Sequence, residues 1–134
     1  MKEPMPSKII NLVVGFDDNF NFVNLYDPEH PTPLYLDLSE RCQLVFILSD
    51  ALIGAGWTFQ KRPIQVVDDF GINFSSYSWV TEYYGNEVPI HTCFRIIYEC
   101  KRMGDYSYSL FMMDSYGQKI DLDPKIKNGT GEVP

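Results

Sequence analysis

The side chains that most often bind metals are few in this chain, which has two histidines and three cysteines among its 134 residues. His91 and Cys93 lie close together, and Met112 and Met113 supply thioethers, so a copper electron-transfer site is the first chemistry to consider. Such a site needs a second imidazole, with most ligands on one tight loop. Only His30, in a proline-rich segment, offers that imidazole, and the paired spacing that zinc requires is absent. We therefore predict an ordinary strand position for Cys93, a position at the mouth of a strand for His91, and no cofactor.

A run of polar residues from position 17 resembles the opening of a calcium-binding loop. The run reads Asp-Asp-Asn-Phe-Asn from Asp17, which matches the D-x-N-x-N pattern. The sixth position should be glycine and the twelfth glutamate, but Phe22 and Pro28 stand there. We therefore expect a solvated acidic turn. A looser calcium site shared with Asp121 and Asp123 stays open as an alternative.

Nucleophilic catalysis needs a nucleophile, a base and a group that orients the base. No serine or cysteine lies in a G-x-S-x-G elbow, and the glycines of residues 54–56 lack the lysine and hydroxyl of a phosphate-binding loop. Paired carboxylates such as Asp68 and Asp69 fall in turns, where acids are common for backbone reasons. The sequence therefore predicts that the protein is not an enzyme.

Aromatic and amide side chains cluster between residues 77 and 86. The candidate binding residues are Tyr77, Trp79, Tyr83, Tyr84 and Asn86. Flat aromatic rings beside amides and carboxylates suit stacking on sugar C–H groups or contact with a protein partner. The structural interpretation, which we favour, places Tyr77 and Trp79 in the core and the two later tyrosines over the end of the fold.

The elements that position these residues are strands, because apolar residues recur mostly with a period of two. About eight short strands separated by turns predict an all-β fold, a single-domain antiparallel β-sandwich of the immunoglobulin-like, Greek-key type. The domain is predicted to span residues 1–126, with a flexible tail at 127–134. Prolines make residues 27–33 a connecting loop. Residues 50–56 are compatible with a single helical turn, but two close glycines favour a loop there. Pro63 limits its strand to a sheet edge or splits it.

Four patterns make sharper structural predictions. Residues 42–48 are apolar on both faces, so this strand is expected to be central or covered on both sides. The alternation slips by one residue at Ser75 and Ser76, which predicts a β-bulge. Residues 92–101 are expected to form one long strand that pairs with residues 106–112 in a hairpin. The turn at residues 114–117 is expected to close a second hairpin onto residues 119–122.

Charge and cysteine content restrict the partners and the compartment. Eleven basic against eighteen acidic residues give a net charge of −7, which opposes nucleic acids and anionic membranes. No apolar run approaches the roughly 20 residues of a membrane span, and residues 1–7 do not resemble a secretion signal. Cys93 and Cys100 would stand about 23 Å apart in one strand, beyond the reach of a disulfide. We therefore expect a cytoplasmic protein with three free thiols, no nucleic-acid partner and no membrane partner.

The last part of the chain carries a family resemblance. Residues 106–117 read Tyr-Ser-Tyr-Ser-Leu-Phe-Met-Met-Asp-Ser-Tyr-Gly, and Asp-Pro-Lys-Ile follows at 123–126. This resembles the end of the AidA/PixA family of bacterial inclusion-body proteins, which close with an alternating aromatic strand, a D-x-x-G turn and an aromatic-Asp-Pro-x-Ile signature. It is also similar to short bacterial proteins that end in Asp-Pro-x-Ile-x-Asn, a pattern matched through Asn128. Leu122 departs from the tryptophan that the family usually has there.

The resemblance implies a bacterial β-sandwich that is often oligomeric and binds glycans, and it transfers no site residue. From the residues themselves we expect a non-enzymatic module that self-associates or binds a protein partner. The motivation is the apolar residues that a two-layer sandwich leaves on its outer faces, namely Ile47, Phe111 and Met113. A carbohydrate-binding module that uses Trp79, Tyr83 or Tyr84 with Asn86 is the first alternative, and a metal-binding sandwich is the second.

Overall fold

The computed structural model describes most of the chain, and strands dominate it. The described residues are 6, 8–16, 22–26, 35–38, 40–66, 73–83, 85–101, 104–122 and 125–128. The all-β prediction is confirmed, although the described residues contain twelve strands and one helix where about eight strands were expected. The elements in chain order are β1 (Ile9–Phe16), β2 (Phe22–Tyr26), β3 (Tyr35–Leu38), β4 (Cys42–Leu48), α1 (Asp50–Gly54), β5 (Thr58–Val66), β6 (Phe74–Trp79), β7 (Glu82–Tyr83), β8 (Asn86–Glu87), β9 (Cys93–Tyr98), β10 (Gly104–Met113), β11 (Lys119–Leu122) and β12 (Lys125–Asn128).

The first sheet has five strands in the order β2-β1-β4-β9-β6. The predicted central strand is confirmed, because β4 lies in the middle and six of its seven residues are buried. Side chains of neighbouring strands form rows across the inner face, since paired residues point to the same side of a sheet. One row runs through Leu12, Phe46, Phe94 and Trp79. These rows form one wall of the core.

The second sheet is built around β10. Its residues 104–107 pair with β12, its residues 110–113 pair with β11, and β5 pairs along residues 108–113. β3 joins β12 at the far side. The second predicted hairpin is therefore confirmed, since β10 and β11 are antiparallel neighbours joined by residues 114–118. The buried side chains of Phe59, Tyr108, Leu110 and Met112 supply the second wall of the core.

Ring contacts join the two sheets into one core. The ring centroids of Phe46 and Tyr108 are 6.0 Å apart with an edge-on approach, and those of Phe59 and Phe94 are 4.9 Å apart with the planes at 84°. Edge-to-face pairs of this kind are favourable arrangements of aromatic rings. Each pair takes one ring from each sheet, so the two sheets share a single set of buried side chains.

The sheets are mixed and not wholly antiparallel, which corrects part of the predicted fold. β1 pairs with β4 in parallel, and β12 pairs with β3 in parallel. Parallel neighbours need a long connection, and residues between β1 and β4 provide it, including the hairpin partner β2. Alternation of apolar residues fixes which face of a strand is buried but carries no information about strand direction. The prediction of an all-β fold is therefore correct, but the prediction that its strands pair only in antiparallel fashion is wrong.

The predicted hairpin between residues 92–101 and 106–112 is wrong. β9 ends at Tyr98 and pairs with β4 and β6, while β10 belongs to the second sheet. Cys100 has a φ of 57°, so the chain leaves the strand there. The buried Asn73 receives the departing chain, because its backbone oxygen accepts from the amide of Glu99 at 2.6 Å and its Oδ1 accepts from the amide of Lys101 at 2.6 Å. The predicted separation of Cys93 and Cys100 assumed that both lie in one strand. Because β9 ends at Tyr98, that separation no longer applies.

Two irregularities predicted from sequence are confirmed. In β6, Phe74 faces Tyr98 and Tyr77 faces Ile96, so Ser75 and Ser76 together lie opposite the single residue Ile97 of β9. β5 runs through Pro63 but pairs only with β10 among the described strands. Its register shifts beside the proline, as expected where a residue has no amide hydrogen to donate.

The segment after β4 is a short helix and not the loop that we expected. The Ser49 hydroxyl caps α1 by accepting from the amide of Leu52 at 3.3 Å, and the Leu52 side chain is fully buried. Gly56, with a φ of 89°, lies beyond the end of the helix, where glycine commonly terminates helices. The two glycines therefore end the helix and do not prevent it.

The structure does not describe one predicted segment and describes another only in part. The proline-rich loop at residues 27–33 lies outside them. β12 includes Lys127 and Asn128, which the sequence assigned to a flexible tail, and residues 129–134 lie outside the described part of the chain.

Candidate binding surfaces

The indole of Trp79 lies between two other rings. The imidazole of His91 is 4.3 Å away between centroids and tilted by 33°, and the ring of Phe94 is 6.1 Å away and nearly perpendicular. Trp79 is half-buried and packs against the core from the edge strand β6. One face of the indole is therefore occupied by His91.

Tyr77 contacts the protein with both its ring and its hydroxyl. The ring lies edge-on to Trp79 at 5.9 Å and to Phe94 at 6.2 Å. The hydroxyl donates a 2.8 Å hydrogen bond to the backbone oxygen of Lys61 in β5. This bond ties the edge of the first sheet to an edge strand of the second. Tyr77 and Trp79 thus make the contacts that the structural interpretation of the aromatic cluster expects.

The remaining candidate residues lie in the connection between β6 and β9. Because the amide of Val80 still bonds to the oxygen of Cys93, we count this connection as residues 81–92 and call it the 81–92 connection. It contains the short strands β7 and β8, in which half-buried Tyr83 faces exposed Asn86. Tyr84 lies outside the described residues. The structure therefore brings Tyr77 and Trp79 together on β6 and places Tyr83 and Asn86 on a separate hairpin.

Two features of the 81–92 connection were missed from sequence. Ile90 is 77% exposed, and its neighbour His91 has a φ of 61°, a left-handed conformation that is uncommon for residues other than glycine. The turn is closed by the amide and hydroxyl of Thr92, which both donate to the backbone oxygen of Pro89. No glycine or asparagine marks the left-handed position, so the usual turn signal is absent.

The outer face of the first sheet is largely aliphatic. Three rows cross β1, β4 and β9 on this side, namely Ile9-Gln43-Ile97, Asn11-Val45-Arg95 and Val13-Ile47-Cys93. Ile9 is 52% exposed, and Val13, Ile47 and Ile97 are each half-buried. Arg95 is the single charged residue in these rows. We call this surface the outer face.

A polar chain crosses part of the outer face. The Arg95 guanidinium donates to Gln43 Oε1 at 3.3 Å, and Gln43 Nε2 donates to the backbone oxygen of Pro6 at 2.6 Å. Val45 faces Arg95 directly and is only 6% exposed, as expected where the aliphatic stem of an arginine lies over a neighbour. The side chains of Ile9, Val13 and Ile97, at the ends of the rows, are more exposed than that of Val45.

The three cysteines are free thiols in different surroundings. Burial raises the pKa of the Cys42 thiol to about 11 and that of the Cys93 thiol to about 12. Both thiols are therefore protonated at neutral pH, and a thiolate is the form that attacks electrophiles and binds metals. Cys100 is half-buried beside the core. Neither buried cysteine has the character of a catalytic nucleophile.

Metal ligands do not gather in the part of the chain that the structure describes. No group of three or more histidine, cysteine, aspartate or glutamate residues lies close enough there to hold an ion. Asp17, Asp123 and His30, on which the calcium and copper alternatives depended, lie outside the described residues. The described part of the chain also has no helix of the length and apolarity that a bilayer crossing requires.

Comparison with known proteins gives no family for this chain: no protein-family model matches it, and no curated protein matches it.

Proposed function

We propose that this chain is a non-enzymatic binding module that self-associates through the outer face. The observation that carries the proposal is the incomplete burial of four aliphatic side chains on one side of the first sheet: Ile9 is 52% exposed, and Val13, Ile47 and Ile97 are half-buried. A sheet face that meets water usually alternates apolar residues inside with polar residues outside. Aliphatic groups left partly open on the second side favour burial against another surface.

The charge on this face favours a second copy as the occupant. The protein carries a net charge of −7, so most of its surface repels another copy. The described residues of the three rows contain no carboxylate, and the guanidinium of Arg95 is engaged by Gln43 within its own chain. Two such faces meet without placing acids against acids, and sheets stack face to face at about 10 Å.

The carbohydrate-binding alternative is less well supported by the geometry. Stacking on sugar C–H groups requires an aromatic ring with an open face. His91 covers one face of Trp79, Phe94 lies edge-on to it, and the hydroxyl of Tyr77 is used by Lys61. These contacts favour the protein-binding proposal.

The proposed self-association is tested by light scattering coupled to size exclusion over a range of concentrations. We expect the mass of the wild-type protein to rise toward that of a dimer, and Ile97→Lys to remain monomeric because it places a cation in the aliphatic face. Gln65→Lys, at an exposed position of β5, is the matched control and should behave as wild type. A wild-type protein that stays monomeric at the highest concentration overturns the proposal. Thermal unfolding of both variants checks that they are folded.

We further propose that the chain shares the fold of the AidA/PixA family, which the end of its sequence resembles. The shared core of the two sheets supports an immunoglobulin-like, Greek-key sandwich, and the turn at Asp114 supports the D-x-x-G element. Asp114 Oδ1 accepts from the amides of Tyr116 and Gln118, and Gly117 has a φ of 83°. On the same basis we propose a bacterial origin and, from the three free thiols, a reducing compartment such as the cytoplasm. An experimental structure whose fold differs from that family overturns the assignment.

A further inference from the structure

The 81–92 connection is much longer than the strands it joins require. β6 and β9 are antiparallel neighbours, and their ladder continues to a hydrogen bond from the amide of Val80 to the oxygen of Cys93. Antiparallel neighbours are commonly joined by about two to five residues. Twelve residues extend beyond this last ladder bond and include the β7-β8 hairpin, and binding residues are found disproportionately often on such connecting segments.

The end of this connection is held in place by several hydrogen bonds. The amide of Phe59 donates to the oxygen of His91 at 2.7 Å, and the amide of Leu48 donates to the oxygen of Thr92 at 3.0 Å. The hydroxyl of Thr92 donates to the oxygen of Pro89 at 2.7 Å. Strands of both sheets thus anchor the turn that presents Ile90. A backbone segment held in this way loses little further freedom when a partner binds it.

The connection carries one exposed apolar side chain and two exposed carboxylates. Ile90 is 77% exposed. Glu82 and Glu87 face each other directly across β7 and β8, both are exposed, and neither forms an ion pair with another described residue. Like charges in directly opposed positions destabilise a strand pair. A cationic partner removes this repulsion, so the charge arrangement complements a basic surface.

We propose that the 81–92 connection binds a basic segment of another protein, with Ile90 entering an apolar pocket or contact and Glu82 and Glu87 pairing with lysine or arginine side chains. Ile90 and Glu87 are three residues apart, so their Cα atoms are separated by no more than about 11 Å. A single short segment therefore reaches both. This surface is distinct from the outer face, and the two proposals fail separately.

The test is a selection of random short peptides displayed on phage against the immobilised full-length chain. We expect enriched peptides that combine lysine or arginine with apolar residues. The best peptide, synthesised and titrated calorimetrically, should lose about tenfold or more in affinity for Ile90→Asp, as expected for an anchor residue. Glu82→Gln combined with Glu87→Gln should weaken binding and reduce its salt dependence. Tyr116→Asp, which alters another highly exposed apolar side chain in a different turn, is the matched control and should bind normally.

Other results overturn the proposal. These are a selection that enriches nothing, enriched peptides that lack basic residues, or peptide binding that is unchanged in Ile90→Asp. Peptide binding lost only in Ile97→Lys would assign the peptide to the outer face. Self-association abolished by Ile90→Asp would assign the connection to a second copy of the chain. Circular dichroism and thermal unfolding of each variant verify that the fold is intact.

Discussion

The side-chain oxygen of Asn73 accepts a 2.6 Å hydrogen bond from the backbone amide of Lys101. Asn73 is fully buried, and its backbone oxygen also accepts from the amide of Glu99. One residue at the start of β6 thus holds the segment through which the chain leaves the first sheet and enters the second. The left-handed Cys100 lies between the two bonded amides.

Replacement of Asn73 by alanine should therefore destabilise the protein. The substitution removes the acceptor of the part-buried amide of Lys101, and a hydrogen bond of this kind contributes about 0.5–1.5 kcal/mol. Chemical denaturation measures the change in the free energy of unfolding. Ser78→Ala, at an exposed position of the same strand, is the control and should change it by less than about 0.5 kcal/mol. Equal effects of the two substitutions would contradict the role given to Asn73.

Two tyrosine-to-phenylalanine substitutions should have opposite effects. The hydroxyl of Tyr108 is buried and has no hydrogen-bond partner among the described residues, so its removal should leave stability unchanged or raise it by up to about 1 kcal/mol. The hydroxyl of Tyr77 donates to the oxygen of Lys61, so Tyr77→Phe should cost about 0.5–1 kcal/mol. Denaturant unfolding of both variants tests the pair. A loss larger than about 1 kcal/mol in Tyr108→Phe would show that its hydroxyl is bonded.

His91 offers a test of backbone strain. Its φ of 61° is disfavoured when a Cβ is present, so His91→Gly should be more stable than His91→Ala by about 1 kcal/mol. Both variants lose the ring that lies on Trp79, so that loss cancels in the comparison. Ile90 does not have a positive φ, and there the order should reverse, with alanine more stable than glycine. Thermal and denaturant unfolding of the four variants give the two differences. If glycine and alanine variants had the same order of stability at both positions, backbone strain at His91 would be contradicted.

Stability should fall at alkaline pH because two thiols are buried. The pKa of Cys42 is raised from 9.0 to about 11 and that of Cys93 to about 12 by burial. A pKa that is higher in the folded state gives a contribution that is complete below pH 9 and is lost as the pH rises through 11 and 12. The free energy of unfolding, measured by denaturation at a series of pH values, should therefore decline above about pH 9.

The matched variant for this pH effect replaces both buried thiols by alanine. Its free energy of unfolding should be lower at neutral pH, because two buried sulfur atoms are lost, and should decline less steeply above pH 9. Parallel curves for the variant and the wild type would show that other groups cause the alkaline decline.

Local patterns were sufficient for the features that depend on local chemistry. The slip in alternation at Ser75 and Ser76 located the bulge, because the side-chain period of a strand is strict. Apolar residues on both faces placed β4 at the centre of its sheet. The turn from Asp114 to Gly117 combines an acid that binds backbone amides with a glycine that accepts a positive φ.

Features that depend on distant residues were not predictable in this way. Residues 92–101 and 106–112 look like a hairpin because adjacent strands often pair, but β9 pairs with β4 and β6, and Asn73 binds the segment that leaves β9. The parallel pairing of β1 with β4 leaves no mark in the alternation of either strand. The contact of the His91 ring with Trp79 depends on the positive φ of His91, which the residue types of this turn do not predict.

The parallel pair of β3 and β12 has a consequence for synthesis of the protein. Residues 35–38 leave the ribosome long before residues 125–128, which complete their ladder. At the usual rates of translation this interval is on the order of ten seconds. During that time the second sheet lacks its joining strand, and the nascent β3 offers unpaired backbone groups to other chains. We expect the newly made chain to need chaperone protection until β12 has emerged.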